Sequence, residues 1–136
     1  MFNIIIATHG HLAKEFLRVL QSFFGETPQI EAINLGDNGI SIFSKQVDQL
    51  IKPILTEPTI IFCDIAGGTP FNEFAQKTTC WQSECVLFGG VSLPVLVETL
   101  NLRMQNIPFA EVVRRIQKLP LLTKFAPGQV KDSDDE

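Results

Sequence analysis

Short apolar runs alternate along the chain with segments whose apolar residues recur at helical spacing. The segments at residues 2–7, 30–35, 59–63 and 84–88 are predicted to be strands, because each is short and followed by polar or glycine residues; 30–35 alternates loosely between apolar and polar residues, and the other three are mainly apolar. The intervening segments carry apolar residues three or four positions apart, which predicts helices. Their apolar stripes cover residues 12–23, 43–54, 93–104 and 109–116, and a further helix opens at Thr69-Pro70.

Strands that alternate with helices in this way favour an α/β fold. We expect a doubly wound, mostly parallel four-stranded sheet with helices on both faces and the common strand order 2-1-3-4. In that order the first and third strands are neighbours, and ligands bind at the carboxyl ends of such strands. Those ends are Thr8-His9 and Asp64. The topology therefore predicts a functional site that contains His9 and Asp64.

The residues at this edge of the sheet suggest phosphoryl chemistry. A hydrogen bond that Asp64 accepts from one nitrogen of His9 would fix the imidazole tautomer and leave the other nitrogen as a nucleophile. Gly67, Gly68 and Thr69 lead into a helix N-terminus, with Thr69 predicted as the N-cap, and such a turn favours phosphate oxygens. Each feature alone has a structural interpretation: a packed histidine, an aspartate that satisfies loop amides, and an ordinary Gly-Gly turn.

Composition limits the class of protein and its partners. The chain has 136 residues, 45% of them hydrophobic, and a net charge of −4, which fits one globular domain at residues 1–127 and excludes intrinsic disorder of the whole. Four acids lie between residues 132 and 136, so we expect an acidic, disordered tail at 128–136. Without a basic field, nucleic acid is not an expected partner.

The sequence also indicates a compartment and the absence of cofactors. The N-terminus lacks a signal-peptide pattern and no apolar stretch is long enough to span a membrane, so we expect a soluble, cytoplasmic protein. The three cysteines have no zinc-site spacing and are expected to be reduced thiols. Nucleotide-binding motifs are missing as well, and neither a metal nor another cofactor is expected.

Three blocks of the sequence resemble the enzyme IIA component of the mannose class (mannose, fructose, sorbose and N-acetylgalactosamine) of the sugar phosphotransferase system. They are Ile-Ile-Ala-Thr-His-Gly-His-Leu-Ala at residues 5–13, Asp-Ile-Ala-Gly-Gly-Thr-Pro-Phe-Asn at 64–72, and Val-Ser-Leu-Pro-Val-Leu-Val-Glu-Thr-Leu at 91–100. The similarity extends over roughly residues 1–119. The fold that this family implies is the doubly wound α/β fold predicted from the pattern.

The resemblance implies a function for the site. His9 would take a phosphoryl group from phospho-HPr and pass it to a histidine of enzyme IIB, with Asp64 as the orienting acid and Thr69 at a position where Ser or Thr is usual. Transfer between imidazoles works mainly by positioning and electrostatics, so no metal is required. The membrane subunits IIC and IID, which choose the sugar, would be indirect partners. His11 has no assigned role.

Two departures from the family accompany the resemblance. Relatives are often joined to IIB through a Pro/Ala-rich linker, whereas this chain ends at Glu136, so a free-standing component is expected. Similar proteins form homodimers in which a C-terminal strand crosses to the neighbour. Residues 119–125 match poorly but could supply that strand, with Pro120 restricting it to an edge or a strand start. A homodimer is therefore expected.

Two other functions remain open on the sequence. A signalling receiver domain shares the doubly wound fold and would be phosphorylated on Asp64, although it needs an acidic pair after its first strand, where this chain has Thr8-His9. A non-catalytic regulatory binding module of the same fold would leave His9 unmodified.

Overall fold

The computed structural model describes residues 1–128, so the predicted acidic tail lies, apart from Gly128, outside the described residues. The strands are β1 (Asn3–His9), β2 (Ile30–Leu35), β3 (Thr59–Cys63) and β4 (Cys85–Phe88). The α-helices are α1 (Leu12–Phe24), α2 (Ile40–Ile51), α3 (Thr69–Lys77), α4 (Leu93–Met104) and α5 (Phe109–Ile116). Single 3-10 turns, Lys52–Ile54 and Thr78–Cys80, follow α2 and α3.

The four strands form one parallel sheet in the order β2-β1-β3-β4, which confirms the predicted topology. The last paired residues of the two central strands are Ala7 of β1 and Cys63 of β3. On its other side β1 stays paired with β2 as far as His9, which lies opposite Leu35. His9 is thus the last residue of β1 rather than the first residue after it, and its backbone is held by the sheet.

Both faces of the sheet are buried, as a parallel sheet requires. Ile4 and Ile6 of β1 belong to the core under α1, α4 and α5. Ile5 and Ala7 point to the opposite core, under α2 and α3. A shift of β1 by one residue would exchange these two sets, so packing on both faces fixes the register that brings His9 to the carboxyl edge.

The elements differ from the predictions mainly at their ends. Leu12 and Phe23 of the α1 stripe are 44% and 56% exposed, because they lie at the two ends of a helix that covers the sheet with its middle. α2 ends at Ile51 because Pro53 cannot continue an α-helix, and the chain tightens into a 3-10 turn there. The N-cap of α3 is Gly68, so the prediction that Thr69 caps this helix was wrong by one residue.

The segment that the resemblance proposed as an exchanged strand carries no regular structure in the single chain. Residues 120–126 form neither a helix nor a strand. Leu121 and Leu122 are each 91% exposed and Phe125 is 69% exposed. Among residues 1–128, no helix is both long and apolar enough to cross a membrane.

Candidate functional site

His9 stands where β1 turns into α1, and the turn is built by its neighbours. Gly10 has a φ of +60°, a left-handed conformation that glycine adopts at little cost. The amide of Gly10 donates to the carbonyl of Leu35 at 2.9 Å, which ties the turn to β2. The backbone of His9 is therefore fixed on both sides, while its side chain remains 44% exposed.

A buried hydroxyl completes the same turn. Thr8 is fully buried, and its Oγ1 accepts a hydrogen bond from the amide of Ala13 at 2.6 Å and donates one to the carbonyl of His9 at 3.1 Å. Thr8 thus satisfies a first-turn amide of α1, which His11, the residue at the N-cap position, does not do with its side chain. His11 is exposed, as predicted. The role of Thr8 was missed, because a capping threonine is expected directly before the first helical residue and Thr8 lies inside the strand, four positions before Leu12.

Asp64 binds both the backbone and the ring of His9. Its Oδ2 accepts from the His9 amide at 3.1 Å and lies 3.0 Å from Nδ1 of the imidazole. Its Oδ1 accepts from the amide of Ile65 at 3.0 Å. The Asp64 side chain is only 13% exposed, so the carboxylate is held on several sides. The predicted pairing of His9 with Asp64 is present in the structure.

This geometry selects one imidazole tautomer. A carboxylate oxygen only accepts hydrogen bonds, so Nδ1, the nitrogen that faces Asp64, carries the proton and donates a hydrogen bond to the carboxylate. In the neutral ring the other nitrogen, Nε2, then holds a free electron pair. The carboxylate also favours any positive charge that develops on the ring. The pair can therefore serve as a nucleophile with an attached orienting acid.

The glycine turn before α3 lies against the imidazole. A Cβ placed on Gly68 would lie 2.9 Å from Cε1 of His9 and 3.3 Å from the carbonyl oxygen of Ile65, so only glycine leaves room for the ring. Gly67 has a φ of +83°, and its carbonyl accepts from the Asn72 side chain at 3.0 Å. The turn therefore brings the N-terminus of α3 to the ring, where the helix dipole favours negative charge.

The structure brings His9 and Asp64 into direct contact and places Gly68 where an added Cβ would meet the imidazole. Gly67 and Thr69 flank Gly68 at the start of α3. Sequence reasoning assigned no role to three further features: the Thr8 hydroxyl, the Asn72 amide and a close approach between Gly89 and Ala66. In the last of these, a Cβ on Gly89 would lie 2.6 Å from both Cα and Cβ of Ala66. A sequence holds no signal for that contact, because it joins two loops that are distant along the chain.

The cysteines lie outside this site. Burial raises the pKa of the Cys63 thiol to about 12, with the charge of Asp64 adding to the effect, and burial raises the pKa of Cys85 to about 12. Cys80 is exposed. Within residues 1–128, no group of three or more His, Cys, Asp or Glu side chains is arranged to hold a metal ion.

Comparison with known proteins gives a consistent family. Residues 3–117 match the profile of the family described as "PTS system fructose IIA component". The chain is 32% identical over 112 residues to the mannose-specific EIIAB component of the phosphotransferase system (PTS) of Escherichia coli. That match covers 81% of the chain but 34% of the relative, so the chain spans about a third of that protein's length.

A curated relative nearer to this chain in length is the fructose-specific EIIA component of Bacillus subtilis, which is 31% identical over 105 residues. That match covers 76% of the chain and 71% of the relative. Among solved structures, the mannose/sorbose-specific IIA subunit from Enterococcus faecalis superposes with a TM-score of 0.80 at 20% identity. It covers 95% of this chain and 98% of its own, which establishes the shared fold.

Proposed function

Because the chain belongs to the mannose class of enzyme IIA components of the sugar phosphotransferase system, we propose that it carries a phosphoryl group on His9. The group would arrive from phospho-HPr and leave to a histidine of enzyme IIB. The single observation that carries the proposal is the 3.0 Å contact between His9 Nδ1 and Asp64 Oδ2. That contact directs Nε2, the other ring nitrogen, to act as the nucleophile.

The transfer step follows from this tautomer. The electron pair of His9 Nε2 attacks the phosphorus of the donor's phosphohistidine in line. A new N–P bond forms as the donor's N–P bond breaks, and the released electron pair stays on the donor imidazole. The Nδ1 proton of His9 does not move, so the phosphorylated ring is cationic and the Asp64 carboxylate stabilises it. Transfer to enzyme IIB is the same step in reverse.

The turn at Gly67, Gly68 and Thr69 is proposed to receive the oxygens of the transferred group. Its contact with the ring at Gly68 and its position at the N-terminus of α3 support this role. Backbone amides and the helix dipole are suited to an anion that is already strongly negative before transfer. Such a cradle acts by preorganised positions rather than by a metal ion.

The partners in this relay are proteins and the sugar is handled elsewhere. The described relatives carry names that specify mannose, sorbose or fructose. From the family we assign phospho-HPr as donor, enzyme IIB as acceptor and the membrane subunits IIC and IID as indirect partners. Because the names of the relatives specify different sugars, we assign no single sugar. The exchange is placed in the cytoplasm, because phosphoenolpyruvate, the source of the phosphoryl group, is made there.

The proposal is tested by labelling. Incubation with radiolabelled phosphoenolpyruvate, enzyme I and HPr is expected to label this chain with a bond that is labile in acid and stable in base. His9→Ala is expected to abolish the label. His11→Ala is the matched control, because it removes an exposed imidazole two residues away and should label normally.

The same labelling distinguishes the alternatives. A label that is labile in base and survives His9→Ala would indicate a receiver that is phosphorylated on Asp64. Absence of any label on the wild-type chain would indicate a binding module. The engagement of both Asp64 oxygens by His9 and Ile65 supports an orienting role rather than a nucleophilic one.

We also propose that the chain works as a homodimer. At the C-terminal end of the described chain, the exposed side chains of Leu121, Leu122 and Phe125 form an apolar segment without regular structure. Among residues 1–128, β4 pairs only with β3, so its other edge is unpaired within the part of the chain that the structure describes. A cavity of about 230 Å³ next to β4 is lined mostly by apolar residues, among them Phe88 and Leu121. A second copy could cover these surfaces through a crossing strand.

Light scattering at micromolar concentration tests the dimer. The wild-type chain is expected to have twice the monomer mass, and the double change Leu121→Asp with Leu122→Asp is expected to give a monomer. Met104→Asp is the control, since Met104 is 64% exposed at the far end of α4. A monomeric wild-type chain would refute this part of the proposal.

A further inference from the structure

We infer that Gly89 is a positioning residue for phosphoryl transfer, which acts through Ala66 on the loop that holds Asp64 and Gly68 against His9. The inference rests on the proposed function of His9. Gly89 follows β4 directly and lies on the loop that leads to α4. It does not touch the imidazole in the way that Gly68 does, so its effect on the reaction must be indirect.

The approach between the two loops leaves no space for a side chain. A Cβ on Gly89 would lie 2.6 Å from Cα, 2.6 Å from Cβ and 2.7 Å from the amide nitrogen of Ala66. Carbon atoms in favourable contact are about 3.5–4.0 Å apart, so one loop would have to move by about 1 Å. None of the three atoms of Ala66 can be moved by a rotamer change.

Hydrogen bonds join the same two loops at the point where Asp64 is held. The amide of Gly90 donates to the carbonyl of Asp64 at 3.1 Å, and the amide of Val91 donates to the carbonyl of Cys63 at 3.0 Å. The loop after β4 is therefore hydrogen-bonded to the chain at the end of β3. Displacing it at Gly89 would shift the Asp64 backbone, the Ala66 contact, or both.

The position of Ala66 makes the effect specific to the site. Ala66 lies two residues after Asp64, which contacts Nδ1 of the His9 ring, and two before Gly68, where an added Cβ would lie 2.9 Å from Cε1 of the same ring. A displacement of about 1 Å there would lengthen the 3.0 Å bond to the imidazole or press Gly68 against it. Misplacement on this scale reduces the rate of a positioned reaction by about 100-fold.

Gly89→Ala tests the inference, and Gly36→Ala is its matched control. Gly36 lies in the loop after β2 at the same edge of the sheet, and a Cβ there would meet nothing within 4 Å. We expect Gly89→Ala to lower kcat for phosphorylation by phospho-HPr by about 10- to 100-fold with a smaller change in KM. Gly36→Ala is expected to match the wild type.

Nuclear magnetic resonance of ¹⁵N-labelled imidazole separates positioning from a general loss of stability. The His9 ring in the folded wild type is expected to show a protonated Nδ1 that is hydrogen-bonded to Asp64. Gly89→Ala should weaken that signature while the dispersed spectrum of the folded protein is retained. This measurement needs no transfer partner, so it remains informative even if the wild-type chain is not phosphorylated on His9, an outcome that would overturn the proposed function instead.

A second variant covers the case in which Gly89→Ala does not fold. Ala66→Gly removes the contact from the other side without adding an atom, and Ala66 is exposed, so the fold should survive. It should lower kcat in the same direction, by several-fold, and loosen the same imidazole signature. A folded Gly89→Ala protein with wild-type kcat and imidazole spectrum would overturn the inference. If Gly89→Ala is unfolded, a folded Ala66→Gly protein with wild-type kcat and imidazole spectrum would overturn the inference.

Discussion

Replacement of Asp64 by alanine is the most direct perturbation of the candidate site. It removes three hydrogen bonds at once: two that Oδ2 accepts from the amide and the ring of His9, and one that Oδ1 accepts from the amide of Ile65. The ring would then be free to rotate, and no group would fix the proton on Nδ1. Phosphoryl transfer and folding stability should both fall, but for different reasons.

The magnitude for transfer follows from the bond to the ring. A hydrogen bond to a charged group contributes about 1.5–3 kcal/mol, and this one strengthens as the ring becomes cationic in the transition state. Its loss corresponds to about a 10- to 150-fold lower kcat/KM for phosphorylation by phospho-HPr. The bonds that Asp64 accepts from the backbone amides of His9 and Ile65 contribute to stability instead. Their loss should lower the free energy of unfolding by about 1–3 kcal/mol, because water can replace Asp64 as the acceptor for one of the two amides at this edge.

Asp64→Asn provides a graded comparison. Its amide oxygen can still accept from the His9 side or from Ile65, but its NH₂ group then faces a donor on the other side. A neutral bond contributes about 0.5–1.5 kcal/mol, so the rate should lie between those of wild type and Asp64→Ala. The expected order of rates is therefore Asp, then Asn, then Ala.

Rapid-quench measurement of label transfer from phospho-HPr gives the rates. Fluorescence of Trp81, the single tryptophan of the chain and 8% exposed, gives the unfolding free energy in urea. A wild-type rate in Asp64→Ala would refute the orienting role. An Asn variant slower than the Ala variant would contradict this order, and would indicate that the Asn NH₂ group donates to Nδ1 and holds the imidazole in the unreactive tautomer.

Three further predictions concern stability and reactivity. Thr59→Val should cost about 1–3 kcal/mol of unfolding free energy in urea, because the Trp81 indole N–H donates to the buried Thr59 hydroxyl at 3.1 Å and would be left unpaired. A thiol reagent at pH 8 should label one cysteine of the folded protein rapidly, the exposed Cys80, and Cys80→Ser should abolish that fast phase; the two other thiols have a pKa raised to about 12 by burial. Hydrogen bonds from two arginines of α5 lower the pKa of Glu111 from 4.5 to about 2. The pKa of Glu111 is lower in the folded than in the unfolded protein, so its contribution to the free energy of unfolding is complete above pH 4.5 and is lost as the pH falls to about 2. The urea midpoints of the wild type and of Glu111→Gln should therefore differ at pH 7 and converge near pH 2.

The fold could be predicted largely because its two central strands, β1 and β3, are buried on both faces. Such strands appear as short apolar runs, and β2 and β3 have the bounds that the pattern predicts. Helix ends were less predictable, since a single residue can stop the backbone from continuing a helix that the apolar pattern favours. Pro53 ends α2 three residues before the apolar stripe does. Gly68 rather than Thr69 is the N-cap of α3, because its carbonyl accepts the first helical hydrogen bond, from the amide of Asn72 at 2.9 Å.

The central pair of the site could also be predicted, because topology alone brings the ends of neighbouring parallel strands together. His9 and Asp64 needed no knowledge of side-chain packing beyond the strand order. Thr8 was harder, since the buried run that contains it gave no reason to single out one hydroxyl. Its two hydrogen bonds appear only when the turn into α1 is built.

The glycines show most clearly where sequence reasoning ends. Gly36, Gly68 and Gly89 all follow a strand or lead into a helix at the carboxyl edge of one sheet. The sequence singles out Gly68 as part of a phosphate-binding turn, but it does not indicate at which of the three positions a side chain would have no room. In the structure a Cβ meets nothing at Gly36, the imidazole at Gly68 and another backbone at Gly89. The same substitution to alanine should therefore be neutral at the first, directly disruptive at the second and indirectly disruptive at the third. What distinguishes these positions is which loop the fold places opposite each one, and that is a property of the assembled edge rather than of any segment in it.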